Sequence, residues 1–200
     1  MIAIIDYGMG NLRSVQKALE RVGASATVTD DPELIKTAEK IVLPGVGAIR
    51  PAMEKLQALE MIPVIKKVIG KNKPFLGICL GLQLLFEKSD EGGEVKSLGV
   101  LPGVVTRFSA LKVPHMGWNQ LRIENKNCAL FSGIQDNVNA YFCHSYYVAP
   151  ADNSVVSTTT DYGVSFASSV CKNNVFGVQF HPEKSQEIGL QILKNFVELK

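Results

Sequence analysis

Four short, mostly apolar runs punctuate the first part of the chain: Ile2–Ile5, Ala26–Val28, Ile41–Leu43 and Phe75–Ile78. Runs this brief and this apolar suit strands buried on both faces. The segments between them carry helical spacing. Leu12, Val15, Leu19 and Val22 recur on one face, with Asn11 placed as an N-cap and Gly23 as a stop. Helical patterns also cover about Pro51–Leu59 and Ile62–Ile69, the latter halted by Gly70. Strand–helix–strand succession predicts a mostly parallel central sheet flanked by helices, an α/β architecture of the flavodoxin-like kind.

From about Val95 to Val178 the character changes. Gly, Pro, Asn and Asp separate the β-rich runs Val104–Phe108, Val138–Phe142, Val155–Thr160, Val164–Val170 and Val175–Val178. These predict an added antiparallel β-rich segment attached to the sheet. A last helix over about Gln186–Leu199 would bury Ile188, Ile192, Phe196 and Leu199. With no repeat, low-complexity tract or linker in view, the expectation is one domain over residues 1–200.

The balance of residues excludes several classes. Hydrophobic residues make up 46% and charged residues 20%, and the net charge is 21 − 19 = +2. No basic cluster argues for nucleic acid or a membrane surface. Cys79, Cys128, Cys143 and Cys171 form no C-x-x-C pair and match no zinc-ligand spacing, so neither a metal nor another cofactor is expected. The N-terminal apolar run is too short for a signal peptide and no stretch reaches membrane-spanning length, so a cytoplasmic protein with reduced thiols is expected.

The chemistry concentrates in Gly77-Ile78-Cys79-Leu80-Gly81. A strand runs straight into it and an amphipathic helix is expected after it. A nucleophile on a tight strand-to-helix turn needs small neighbours on both sides, the logic of the G-x-S-x-G elbow with sulfur in place of oxygen. The helix start favours a thiolate, and the Leu80 N–H points toward an oxyanion formed at the sulfur. A buried Cys at a strand end is often only a small core residue. The run Val178-Gln179-Phe180-His181-Pro182-Glu183 weighs against that here. It places a base, His181, and an orienting carboxylate, Glu183, after a strand expected to lie beside the nucleophile strand. Pro44-Gly45-Val46-Gly47 is a Gly-rich strand end without the Lys-Ser/Thr of a phosphate loop. It reads either as an ordinary turn or as a backbone segment able to complete an oxyanion hole.

Together P-G-V-G, G-I-C-L-G-L-Q and H-P-E resemble, in order and over essentially the whole chain, the class I (triad) glutamine amidotransferases. Asp6-Tyr7-Gly8-Met9-Gly10-Asn11-Leu12 and above all Pro114-His115-Met116-Gly117-Trp118-Asn119 make the chain similar, within that family, to glutaminase subunits of imidazole glycerol phosphate synthases. The resemblance implies Cys79, His181 and Glu183 as a catalytic triad, and Val46 and Leu80 as oxyanion-hole donors. It implies Gly47, Gln83, Ser145 and Tyr146 at bound glutamine. Asn11, Trp118 and Lys184 would face a partner, a (β/α)8-barrel cyclase subunit that receives ammonia in histidine biosynthesis. Two positions depart from the family's pattern: Ile49 stands where Phe is expected and Cys143 where Val is usual, both still apolar. The competing readings are a glutaminase serving another synthase, a cysteine peptidase or DJ-1-like protein, and a non-catalytic subunit. A lone Trp is more often a core anchor than an interface residue, and His115 and His144 read as structural or near-site groups.

Overall fold

The computed structural model describes residues 1–109 and 111–199. Its first part contains β1 (Ile2–Ile5), α1 (Leu12–Arg21), β2 (Ala26–Thr29), α2 (Pro32–Thr37), β3 (Lys40–Gly45), α3 (Ile49–Ala58), α4 (Met61–Gly70), β4 (Phe75–Cys79) and α5 (Leu80–Leu84). After these come β5 (Lys88–Ser89), β6 (Val95–Lys96), β7 (Gly103–Arg107), β8 (His115–Ile123), β9 (Val138–His144), β10 (Tyr146–Pro150), β11 (Val156–Asp161), β12 (Ser165–Lys172), β13 (Val175–Val178) and α6 (Gln186–Glu198).

β2, β1, β3, β4 and β13 lie side by side and all parallel. β12 then turns the sheet antiparallel, and the order continues through β10, β7, β5 and β6. A branch leaves β12 through β11 to β8 and β9. The sheet is thus mixed and flanked by helices, with the expected β-rich addition.

Alternation along the strands explains the two-sided cover. Ile2, Ile4, Val42, Leu76 and Ile78 point to one face, where Val15 and Leu19 of α1 and Ile192, Leu193 and Phe196 of α6 meet them. Ala3, Ile5, Ile41, Leu43 and Phe75 point to the other, against Ile35, Leu56, Ile65 and Val68 from α2, α3 and α4. Burial of both faces is why these strands read as continuous apolar runs.

Several local expectations change. β3 does not stop before Pro44-Gly45 but runs through it, with Pro44 opposite Ile78 and Gly45 opposite Cys79. β1 pairs with β3 only as far as Ile4 opposite Val42, so the missing N–H of Pro44 deprives no ladder on that side. The helix after Cys79 is a five-residue segment buried all round rather than amphipathic. Asn11 does precede α1, but its side chain makes no capping bond. α2 is too short to carry a periodic apolar stripe, yet Asp31 caps it, its carboxylate accepting from Glu33 N–H at 2.8 Å, with Pro32 next. β8 carries no ordinary strand signal, because its alternation is mixed: His115 and Leu121 are buried and Asn119 half-buried, while Met116 and Trp118 are exposed.

Candidate active site

Three strand ends meet at one place. Gly45 lies opposite Cys79 on one side of β4, and Val178 lies opposite Ile78 on the other. The chain leaving each strand at its carboxyl end therefore carries Val46, Leu80 and His181 to the same edge of the sheet, where open α/β sheets hold their ligands.

Cys79 adopts φ 55°, ψ −107° between strand and helix, a conformation uncommon for a residue with a side chain. The flanking glycines are demanded by close approach: a methyl on Gly77 would lie 2.6 Å from the Gly81 carbonyl oxygen, and one on Gly81 would collide with the Leu43 carbonyl oxygen. Cys79 is buried, and its Sγ accepts from Gln179 Nε2 at 3.7 Å. α5 is too short for a strong macrodipole, so what it offers is the N–H of its first residue, Leu80, which has no intrahelical acceptor.

His181 follows β13 and is fixed by its own backbone. Its N–H donates to the Tyr141 carbonyl at 2.9 Å, and its carbonyl accepts from the Ser185 hydroxyl at 2.7 Å. Its Nδ1 donates to Glu183 Oε1 at 2.9 Å, both side chains being almost wholly buried. Burial alone would lower the His181 pKa. The neighbouring Cys79 sulfur and the hydrogen bond to Glu183, with the charges of both, outweigh it and raise the pKa to about 10. The ring is therefore an imidazolium at neutral pH, held between sulfur and carboxylate.

A cavity of about 430 Å³ opens over Cys79. Val46, Gly47, Leu80, Gln83, Ser145 and Tyr146 line it, so the sequence-derived substrate and oxyanion candidates are brought together. His181 and Glu183 are not part of this lining. Val46 is 44% exposed and Gly47 has φ +93°, placing the loop at the cavity mouth. Asn11, Trp118 and Lys184 lie outside the cavity. Lys184 Nζ sits 5.7 Å from the Tyr141 ring centroid and Trp118 packs edge-on at 6.0 Å, so these two gather on one tyrosine, while Asn11 is exposed at the start of α1.

Sequence reasoning missed two polar residues here. Glu91 lines the cavity and accepts from the Ile49 N–H at 2.8 Å; an acid in the turn Asp90-Glu91-Gly92-Gly93 carries no local mark of that role. Gln179, two positions before His181, was legible only as part of the His-containing run. Among the described residues no cluster of His, Cys, Asp and Glu could hold a metal ion.

The family model for class I glutamine amidotransferases matches residues 3–199. The chain belongs to this family. This amidotransferase is 53% identical over 207 residues to the imidazole glycerol phosphate synthase subunit HisH of Syntrophotalea carbinolica, each chain covered in full. It is 56% identical over 199 residues to the subunit of the same name from Moorella thermoacetica, covering 99% of this chain and 94% of that one. Solved structures share the fold at lower identity. A crystal structure of a glutamine amidotransferase matches with TM-score 0.77 at 18% identity, covering 98% of this chain and 100% of that one. Thermotoga maritima PurLQS matches with TM-score 0.73 at 22% identity, covering 98% and 95%. Family membership makes the amidotransferase an enzyme, a glutaminase. No described helix is long and apolar enough to cross a membrane.

Proposed function

We propose that this chain is the glutaminase subunit of an imidazole glycerol phosphate synthase, working over its whole length as one amidotransferase unit. The observation that carries the reading is Cys79 in a cavity lined by Gln83, Glu91, Ser145 and Tyr146, with the buried His181–Glu183 pair beside its sulfur. The full-length similarity to subunits of that name supports the pathway, and argues against service to another synthase.

The chemistry follows from the geometry. The Cys79 sulfur attacks the side-chain carboxamide carbon of glutamine, and the carbonyl oxygen becomes an oxyanion. The Leu80 N–H, and the Val46 N–H once its peptide faces inward, donate to that oxyanion. The imidazolium of His181 gives its Nε2 proton to the leaving nitrogen, the C–N bond breaks, and ammonia departs from a thioester. Water then attacks the thioester, losing a proton to His181 and releasing glutamate. Glu183 keeps the Nδ1 proton in place throughout. Gly47, Gln83, Ser145 and Tyr146 hold the substrate, and Glu91, the carboxylate lining the cavity, pairs with its ammonium group.

The ammonia serves a (β/α)8-barrel cyclase subunit, which forms imidazole glycerol phosphate and an aminoimidazole carboxamide ribonucleotide. Asn11, Trp118 and Lys184 face that partner. Val46 stands exposed at the cavity mouth, where a docked subunit can set the loop that carries it. Glutamate release should therefore be slow for the chain alone and rise strongly with the cyclase subunit and its ligand. Equal rates with and without them would overturn the coupled reading.

A further inference from the structure

Two histidines that the reaction does not use form a directional chain of buried hydrogen bonds. His144 Nδ1 lies 2.8 Å from the Tyr146 carbonyl oxygen, which can only accept, so the proton is on Nδ1. Burial holds the His144 pKa down to about 3 and that of His115 to about 4, leaving both rings neutral at pH 7. A neutral His144 has only a lone pair at Nε2. His115 Nδ1, 3.1 Å away, must therefore supply a proton to it. His115 Nε2 is then an acceptor, and Asn119 Nδ2 donates to it at 3.2 Å.

The same carbonyl sets the order on its other side. Gln83 Nε2 donates to Tyr146 O at 2.9 Å and to Gln179 Oε1 at 3.2 Å. With its oxygen so engaged, Gln179 turns its Nε2 to the Cys79 sulfur at 3.7 Å. One carbonyl oxygen thus dictates the orientation of both amides and the tautomer of both imidazoles. The rings are also clamped by shape, since His115 stacks between Tyr162 and Phe142 at 4.0 and 4.9 Å.

We propose that His115 and His144 are positioning residues, a neutral relay running from Asn119 on β8 to the Tyr146 carbonyl that fixes Gln83 and Gln179 around the nucleophile. The proposal deepens the glutaminase reading and rests on it for the kinetic consequence, not for the proton positions. Protonating His144 would set its Nε2–H against the His115 Nδ1–H and break the chain at its centre, and protonating His115 would set its Nε2–H against the Asn119 amide and break it at its outer end.

The test separates those two parts. The isolated chain holds only three histidines, so ¹⁵N-histidine NMR at pH 7 can resolve them. Two neutral rings protonated at Nδ1 and one imidazolium, His181, are expected; a neutral ring protonated at Nε2 overturns the relay. Asn119→Asp, nearly the same shape, should draw a proton onto His115 Nε2, and an unchanged spectrum would sink the stated direction. In the complex with the cyclase subunit, His115→Phe keeps the stacking but leaves His144 without its donor. The KM for glutamine should rise on the order of tenfold, equivalent to about 1.4 kcal/mol, with an unchanged melting temperature. His115→Asn, which restores an N–H near the Nδ1 position, should recover most of the loss. An unaltered KM in His115→Phe, or no recovery in His115→Asn, removes the positioning role. Absence of glutamate release by the wild-type complex would instead count against the glutaminase reading, while the NMR result still decides the relay.

Discussion

At the scale of single residues, the site turns on one proton. His181 keeps it to about pH 10 because the sulfur and the Glu183 carboxylate more than offset burial. Glu183→Gln keeps the hydrogen-bond geometry and removes the charge, so the His181 pKa should fall. Glutaminase kcat should drop on the order of a hundred- to ten-thousand-fold, with the alkaline limb of its pH profile moving to lower pH. The stability consequence has a definite sign. The folded pKa lies above the unfolded value of about 6.5, so the stabilisation is complete below that pH and is lost as pH rises through about 10. Denaturant midpoints measured from pH 6 to 10 should decline in the wild type, with a flatter course in Glu183→Gln. Cys79→Ala should abolish glutamine-dependent synthesis by the complex and leave ammonia-dependent synthesis intact; loss of both would mean the substitution damages docking rather than chemistry. The placement of Cys79 beside the His181–Glu183 pair was readable because each sits in a run whose local sterics or spacing set its position. Gln179 meets the sulfur from 100 residues away, and Glu91 meets Ile49 from 42, so no local pattern records either contact.

Among elements, the elbow shows why a sequence can specify a site so tightly. β4, α5 and β3 approach so closely that Gly77 and Gly81 have no room for a methyl group. Gly81→Ala should destabilise the protein by roughly 1–3 kcal/mol or more, because the atom in the way is the Leu43 backbone carbonyl and cannot rotate aside. Gly70, at the end of α4, has open space around its Cα. Gly70→Ala should be neutral or stabilise by up to about 1 kcal/mol through helix propensity. Opposite shifts in melting temperature for the two substitutions would separate steric demand from mere turn preference. The parallel strands were legible for the same kind of reason: burial on both faces writes an unbroken apolar run. β8 was illegible because it buries His115 and half-buries Asn119 for their hydrogen bonds and exposes Met116 and Trp118, departing from the pattern that marks an ordinary strand.

For the whole molecule, the outer face of β8 is the surface that departs most from the usual burial of apolar side chains. Large apolar side chains ordinarily turn inward, yet Met116 is 62% exposed and Trp118 48% exposed on the outer side of β8. Trp118 is not free to sink into the core: β8 pairs with β9 over seven positions from His115 opposite His144 to Leu121 opposite Val138, and that register fixes which face Trp118 occupies. The Tyr141 ring, with Lys184 5.7 Å from its centroid and Trp118 edge-on, holds this exposed group beside the strand that anchors the His181 backbone. A flat aromatic with a neighbouring cation has the composition of an interface anchor. Trp118→Ala should therefore weaken binding of the cyclase subunit by about 2 kcal/mol, roughly 30-fold in Kd by calorimetry. The melting temperature of the isolated chain should barely move, since an exposed side chain contributes little to its core. A lowered melting temperature with unchanged Kd would make Trp118 a prop for β8 and move the docking surface elsewhere on the molecule.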